Sequence, residues 1–349
     1  MGAMGAQLGR RRFLLLQVAL TAGSFTFLAL RVDLDRWLEQ LTDVRLGWAL
    51  AGLLAFTLSK TIHAYRWRVL LRHRRGISGR DLLPVFLVSN LANAVVPLRA
   101  GDVLRVELAR RRFGIPRAEL TSSVFLVESV LDGVAFIALL LPALLLLDPG
   151  ALRTPAAALV AVVVLGAFTA SLVIARRGTG AAVERWRVVG LLPPTVRARV
   201  QAVLPSFVNG MRVLRGGAGM GIAIAFSIVA WLAEVSVYWM MGQAFGLELG
   251  FSEAVLVTIA ANVIVSLPLT PWDIGPYEVA VTEALAFMGF GLSQAGAFAV
   301  GSHVLLIVWI SLTGVVAMWT LDVRPRELIR SRSAGAGGGD PPAPPTAAG

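Results

Sequence analysis

The sequence of 349 residues contains no cysteine, only three histidines and a single lysine, Lys60. The absence of cysteine excludes disulfide bonds, thiolate metal sites and cysteine nucleophiles. Three histidines without a metal-ligand spacing predict no metal site, and no motif predicts another bound cofactor. The chain also lacks the Walker A pattern and the G-x-S-x-G pattern, so neither a P-loop ATPase nor a serine hydrolase is indicated.

Charge is sparse, and most of the positive charge is arginine. Charged residues make up 15% of the chain and apolar residues 56%, with a mean hydropathy of +0.74. Soluble domains carry about 25% charged residues, so the composition favours an integral membrane protein. The net charge of +11 would suggest nucleic acid as the partner of a soluble protein. Here the arginines flank apolar stretches, which favours anionic lipid headgroups instead.

Long apolar stretches predict six membrane-spanning helices, because about 20 mostly apolar residues are needed to cross the hydrocarbon core. The predicted spans are 13–30, 46–66, 120–147, 155–175, 218–245 and 294–320. Two shorter stretches, 82–97 and 252–269, each run into a sequence with proline and glycine and then into a second helix, at 100–113 and 276–290. Such helix–break–helix units are tolerated at membrane depth where they line a cavity or are covered by protein.

The arginines decide the predicted topology. Basic clusters lie at 10–12, 66–80, 99–117, 176–215 and 324–332. If every apolar stretch crossed the membrane, the two basic flanks of 82–97 would face opposite compartments. If 82–113 and 252–290 are re-entrant hairpins, one from each side, every basic cluster and both termini are cytoplasmic, as the positive-inside rule prefers. The first span has no A-x-A cleavage site and is therefore predicted to be an uncleaved helix.

The two hairpins have related sequences, since each runs from an asparagine through Pro-x-x-x-Gly to a carboxylate. The first is broken at Pro97, and the second at Pro271 and Gly275. With opposite sides of entry, they predict an all-α polytopic fold with an inverted repeat, a feature of alternating-access transporters. The predicted parts are a cytoplasmic N-terminus at 1–12, a first membrane half at 13–175, a basic linker with an amphipathic helix at 176–217, a second membrane half at 218–322 and a disordered cytoplasmic tail at 323–349.

Carboxylates inside a span are costly, by at least about 2.5 kcal/mol at the membrane centre, so each needs a partner or a wet cavity. Glu128 and Asp132 lie four residues apart in the third predicted span and so face one side of it. Arg99 and Arg105 of the first hairpin are available as partners. Either these four residues line a polar cavity for a headgroup, or they form a buried ion-pair network that locks the hairpin to the helix.

Arg99, Gly101, Asp102 and Arg105 lie where the first hairpin turns. Glycine permits close backbone approach, and the amides that open the following helix favour an anion. Arginine is the side chain best suited to bidentate phosphate contact. Because the arginines bracket the break, a phosphate site is favoured over a basic loop that only obeys the charge rule.

Three further positions have two interpretations each. Glu278 opens the helix after the second break and is either a cavity carboxylate or an ordinary charge at a helix N-terminus. Glu234, inside a span, is either a proton carrier or a hydrogen-bonded structural group. Arg66 ends the second span beside His63 and Arg68, where it either anchors the helix at the interface or contacts a headgroup.

His303 stands alone among valine and leucine. It is expected to be a hydrogen-bonded packing residue rather than a ligand.

The order and spacing of four motifs carry a resemblance to a known family. Over roughly 12–322, the chain resembles the flippase-like transmembrane region of lysylphosphatidylglycerol synthases. The motifs are Tyr65-Arg66-Trp67-Arg68, Pro97-x-Arg99-Ala100-Gly101-Asp102-x-x-Arg105, Glu128-x-x-x-Asp132 and Pro271-x-x-x-Gly275-x-x-Glu278. The family often has arginine where this chain has Ser129, and a glycine doublet where it has Gly275-Pro276.

The resemblance implies a bacterial plasma-membrane protein that translocates an anionic or aminoacylated phospholipid, or a polyprenyl-phosphate-linked lipid, between leaflets. The aminoacyl-transfer domain of some relatives is absent, so the chain is expected not to be an enzyme. Two alternatives remain: a non-transporting partner of a glycosyltransferase or lipid synthase, and a lipid-modifying enzyme with Glu128 and Asp132 as acid and base.

Overall fold

The protein is built from α-helices wherever its structure, a computed structural model, describes it. The described residues are 2–31, 33, 35, 43–96, 100–124, 129–147, 217–267 and 269–323. Within these ranges the helices are α1 (Gly2–Ala29), α2 (Leu46–Leu70), α3 (Gly79–Val95), α4 (Ala100–Phe113), α5 (Arg117–Thr121), α6 (Ser129–Leu147), α7 (Gly217–Ala244), α8 (Phe251–Ser266), α9 (Pro276–Phe287) and α10 (Leu292–Leu321).

Two of these helices, by length and composition, could cross a membrane: Ala218–Ala244 and Leu292–Leu321. Shorter apolar helical segments lie at Leu15–Ala29, Val130–Ala143 and Phe251–Ser266. An all-helical membrane protein is consistent with these elements, whereas the six crossings and the inverted repeat stay predictions. The following lie outside the described residues: the predicted span 155–175, the predicted linker 176–217 up to residue 216, the tail beyond Val323, Pro97, Arg99 and Glu128.

Both predicted helix–break–helix units are present as pairs of helices packed against each other, α3 with α4 and α8 with α9. In the first pair, Gly101 lets the two helices touch. A Cβ atom on Gly101 would overlap the carbonyl oxygen of Ser89 and lie 2.7 Å from the backbone nitrogen of Asn93. The Asn93 side chain also holds Asp102 through two hydrogen bonds, of 3.1 and 3.2 Å. The first pair is therefore closed by contacts between its helices.

The second pair turns through strained backbone. A short 3-10 turn, Pro271–Asp273, follows α8, and both Trp272 and Asp273 have positive φ angles, of 57° and 53°. Gly275 follows with φ of 99°, a conformation that glycine tolerates without steric cost. Pro276 then occupies the first turn of α9, where a missing N–H costs nothing.

The turn of the second pair packs against the first pair. Trp272 contacts the apolar core formed by α3, α4 and the adjoining ends of α2, α7 and α10, and α3 contacts the turn Pro271–Asp273 directly. From the other side, α1 covers the turn. The Gln17 amide donates to Leu269 O at 3.2 Å and the Thr21 hydroxyl to Ile274 O at 3.1 Å. The second break is thus enclosed by α1 and the first helix pair.

Candidate functional site

An ion pair between a buried arginine and a partly exposed aspartate joins three helices beside the α3–α4 pair. Arg66 of α2 is 1% exposed, and its guanidinium group forms a bidentate ion pair with Asp132 of α6, with Nη2 to Oδ2 at 3.2 Å. The same group donates to Ser227 Oγ of α7 at 3.0 Å. Trp231 Nε1 of α7 donates to Asp132 Oδ1 at 2.9 Å. Arg66 is therefore a buried residue, which is inconsistent with a role as an interfacial anchor.

A second buried arginine lies between aromatic rings. The Arg105 guanidinium carbon is 4.0 Å from the ring centroid of Trp67 and 4.3 Å from that of Phe86, and Arg105 is 3% exposed. A cation over an aromatic face is attracted by the ring quadrupole, so these rings hold the positive charge away from bulk water. Trp67 is itself fixed by a hydrogen bond from Nε1 to Ser123 Oγ, of 3.2 Å.

His63 connects the two arginines. Its ring stacks on Phe86 with centroids 5.9 Å apart and meets the edge of Trp231 at 6.2 Å. Its Nδ1 atom is buried and has no hydrogen-bond partner among the described residues. Phe86 also contacts the guanidinium group of Arg105, and Trp231 also donates a hydrogen bond to Asp132. These side chains therefore form one cluster. We name it the Arg66 cluster: His63, Arg66, Phe86, Arg105, Asp132, Ser227 and Trp231.

A second buried cluster lies at the start of α9. Glu278 accepts a hydrogen bond from the Gly275 backbone N–H at 2.6 Å and contacts His303 Nδ1 of α10 at 2.7 Å. Both side chains are nearly inaccessible, at 3% and 6% residue exposure. Tyr277 stacks on the His303 ring at 3.8 Å, and its hydroxyl lies 3.5 Å from that of Tyr238. We name this group the Glu278 cluster: Gly275, Glu278, His303, Tyr277 and Tyr238.

The single lysine of the chain lies close to the Glu278 cluster. Lys60 Nζ of α2 is 3.1 Å from Glu234 Oε2 of α7, and Ser59 Oγ donates to the same oxygen at 2.6 Å. Glu234 precedes Tyr238 by one helical turn. Of the two interpretations of Glu234, the structure supports a hydrogen-bonded group with a cationic partner.

Other charged groups form a network where α2 ends and α5 begins. Glu119 is fully buried and binds His73 Nε2 at 2.8 Å and Arg74 Nε at 2.9 Å. The hydrogen bond to Glu119 raises the pKa of the Arg74 guanidinium group. The adjacent Glu107 is bound by three arginines, Arg110, Arg111 and Arg117. Within the described ranges, no group of three histidine or acidic side chains suits a metal ion.

The structure brings the predicted site residues together in two places. Arg66, Arg105 and Asp132 meet in the Arg66 cluster, and Gly101 and Asp102 lie on the α4 helix that carries Arg105. From the sequence, Arg99 and Arg105 are the expected partners of Asp132. Its described guanidinium partner is Arg66, because spacing along one helix identifies a face but not the helix opposite.

Four contributors to these buried groups are not predicted from the sequence. They are Ser227, Trp231, Tyr277 and, as the partner of Glu234, Lys60. The lysine carried a usable signal, since a lone charge inside an apolar stretch requires a buried partner.

Comparison with known proteins assigns the chain to a family. The model of the family described as lysylphosphatidylglycerol synthase TM region matches residues 14–314. The chain belongs to this family. Its members' name places the matched region in the membrane, in agreement with the apolar helices. Both clusters fall inside the matched residues and are therefore part of the family's transmembrane region.

A curated relative is also similar to part of the chain. It is described as a UPF0104 membrane protein of Methanothermobacter thermautotrophicus and is 24% identical over 97 residues. That alignment covers 28% of this chain and 29% of the relative. No solved structure matches.

Proposed function

We propose that this chain moves an anionic or aminoacylated phospholipid, or a polyprenyl-phosphate-linked lipid, between the leaflets of a bacterial plasma membrane without altering it chemically. One observation carries the proposal. Two buried arginines, Arg66 and Arg105, lie beside one broken helix pair, and the turn of the other pair packs against that pair. The family assignment supports the same class of lipid.

The Arg66 cluster suits a phosphate group. A guanidinium group presents parallel donors that match carboxylate and phosphate oxygens equally well. The bidentate contact between Arg66 and Asp132 therefore uses the geometry that a phosphodiester would use. We infer that an incoming phosphate competes with Asp132 for Arg66, so the guanidinium group keeps an anionic partner throughout.

Arg105 suits the headgroup in a different way. Its guanidinium carbon lies 4.0 Å from the Trp67 ring centroid and 4.3 Å from that of Phe86, so its positive charge is held in a buried setting that attracts an anion. Gly101 and Asp102 open the same helix, whose N-terminal amides add a favourable potential for a phosphate. In this proposal Glu278 lines the opposite side of the path, and the lipid tails stay in the bilayer.

Membrane lipids are the proposed partners. Apolar side chains on several helices are exposed in the isolated protein, among them Leu54 and Leu58 of α2 and Val308 and Leu312 of α10. Such surfaces are stable in contact with lipid acyl chains. A glycosyltransferase or lipid synthase would supply or consume the transported lipid.

The proposal is tested by reconstitution into liposomes with fluorescent phosphatidylglycerol, followed by chemical quenching of the outer leaflet. Arg105→Gln should slow the movement of fluorescent lipid from the inner to the outer leaflet at least about tenfold. The reason is that a hydrogen bond to a charged group contributes about 1.5–3 kcal/mol. Arg75→Gln is the matched control, since Arg75 is exposed. An unchanged rate in Arg105→Gln, in protein that elutes and melts like wild type, would sink the site assignment.

Because Arg66 is paired, its test uses a double variant. Arg66→Gln with Asp132→Asn removes both charges together and avoids leaving a buried carboxylate alone. We expect exchange to fall as in Arg105→Gln. Mass spectrometry of the recovered lipids should show unaltered substrate, whereas a new lipid species would favour a lipid-modifying enzyme.

A further inference from the structure

The Glu278 cluster contains an imidazole and a carboxylate in contact, beside the turn between α8 and α9. Glu278 Oε2 binds the Gly275 N–H, and Oε1 binds His303 Nδ1. Because Nδ1 is committed to Glu278, the nitrogen of His303 that is left to gain or lose a proton is Nε2. The net charge of this buried pair therefore changes by one when a single proton binds.

The pair of Glu278 and His303 is connected both to the turn of the second helix pair and to the first helix pair. Glu278 caps α9 directly after the break, whereas His303 belongs to α10. Further along, α10 packs against α3 of the first helix pair, where Gly314 meets Leu91. A change of charge at Glu278 and His303 thus acts on the second break and on the helix that contacts the first pair.

The surroundings of the pair contain few other charges. Asp273 of the turn interacts with Glu278, and Glu234 and Tyr238 of α7 interact with Tyr277. Lys60 of α2 neutralises Glu234. The remaining helices add little. Glu253 of α8 lies in its first turn, away from the break, Glu283 of α9 pairs with Arg31, and α1 presents the uncharged Thr21 and Ser24 to Gly275.

We propose that His303 with Glu278 is a proton-binding site that couples lipid movement to a transmembrane proton gradient. The inference rests on the proposed function. A proton from water on one side binds Nε2 of His303, converts the pair from a net negative charge to a neutral ion pair, and is released to water on the other side. No covalent bond other than N–H forms or breaks, and no other reactant is needed. In a medium of low dielectric, the neutral and charged forms differ strongly in solvation, so they favour different packing around the break.

The experiment measures lipid exchange in proteoliposomes with and without a pH gradient of about two units, with the membrane potential held at zero by potassium and valinomycin. The quantity compared is the ratio of the two rates, which is independent of any change in basal rate. We expect a severalfold ratio for wild type and a ratio near one for His303→Gln. Glu278→Gln should behave likewise, although its amide oxygen still caps Gly275, as glutamine does in a capping box.

His73→Gln is the matched control, since His73 also contacts a buried glutamate, Glu119, but lies outside the membrane helices. It should keep the wild-type ratio. A ratio near one in wild type, or a wild-type ratio in His303→Gln, would overturn the coupling and leave lipid exchange standing.

Absence of any lipid exchange in wild type would instead defeat the proposed function, and a second measurement then decides the proton site alone. Nitrogen-15 NMR of histidine-labelled protein in detergent resolves three side chains, and His303→Gln assigns one of them. We expect the His303 signal to change between the charged and the neutral form when the pH is varied over the range in which the protein stays folded. A His303 signal that stays in one form over this range contradicts a proton-binding site.

Discussion

The α3–α4 pair is held together by side chains that cross between its helices, whereas in the α8–α9 pair the turn itself adopts the unusual conformation. In the first pair, Gly101 allows contact with α3 and Asn93 binds Asp102. In the second pair, Trp272, Asp273 and Gly275 have positive φ angles, and Glu278 caps the helix that follows. The described contacts of the two helix pairs therefore differ, although their sequences are related.

The difference extends to the charges beside each break. Next to the first pair lie two guanidinium groups, which stay charged at all physiological pH values. The second break is held by an imidazole and a carboxylate, which can exchange a proton. The first region therefore suits the binding of an anion, and the second suits a change of state.

Removal of Arg66 should have the largest effect on this comparison. Arg66→Met leaves Asp132 without its bidentate partner, and because the Asp132 side chain is 27% exposed we expect a cost of about 3 kcal/mol, the lower end for a broken buried pair. The free energy of unfolding, measured by SDS titration with tryptophan fluorescence, should fall by that amount. Arg75→Met, at an exposed position, should change it by less than about 0.5 kcal/mol.

A double variant distinguishes the ion pair from general damage. Arg66→Met with Asp132→Leu removes both charges and should recover most of the lost stability. If the double variant is as unstable as Arg66→Met alone, the ion pair is not what holds α2, α6 and α7 together.

Gly101→Ala should be the next most damaging change. The added Cβ atom overlaps the backbone of α3, which cannot move aside as a flexible side chain could. Overpacking of this kind costs about 1–3 kcal/mol, and contact with backbone places the variant at the upper end. Gly221→Ala is the control, because a Cβ atom there meets nothing within 4 Å, and it should be neutral or stabilising.

Gly275→Ala should cost less than Gly101→Ala, about 1–2 kcal/mol. Its penalty comes mainly from φ of 99°, and the nearest atoms of Thr21 and Ser24 are 3.0 Å away, farther than the backbone that Gly101→Ala would meet. The same SDS titration compares the two variants. A larger loss of unfolding free energy for Gly275→Ala would mean that backbone strain in the second turn matters more than the helix contact at Gly101.

Much of the fold could be predicted from the sequence, since helix bounds follow from local patterns. The stretch predicted at 82–97 forms Gly79–Val95, and that at 276–290 forms Pro276–Phe287. The turn between α8 and α9 contains Pro271 and Gly275, whose backbone preferences are local and can be recognised in the sequence. The contact between Glu278 and His303 spans 25 residues, and nothing in either segment alone indicates it.

The pairing of Asp132 shows the same limit at the candidate site. Its position opposite a basic group was predicted from the cost of a buried carboxylate. Which arginine faces it depends on how α2, α6 and α7 pack, and Arg66 lies 66 residues away in sequence. Local chemistry predicts that a partner exists, whereas tertiary packing chooses it.

Ser78→Ala should give the smallest effect, because it alters only the exposed beginning of the first pair. Ser78 caps α3 by accepting from the Asp81 N–H at 3.2 Å, and the Asp81 carboxylate accepts from Ser78 in return. Loss of such a cap costs about 1 kcal/mol. The hydrogen bonds from Ser78 lower the pKa of Asp81, so its contribution is complete above about pH 4 and is lost as pH falls through the folded-state pKa. The stability difference between wild type and Ser78→Ala should therefore shrink in acid. A constant difference between about pH 7 and pH 2.5 would show that the serine hydroxyl caps α3 without the help of the Asp81 carboxylate.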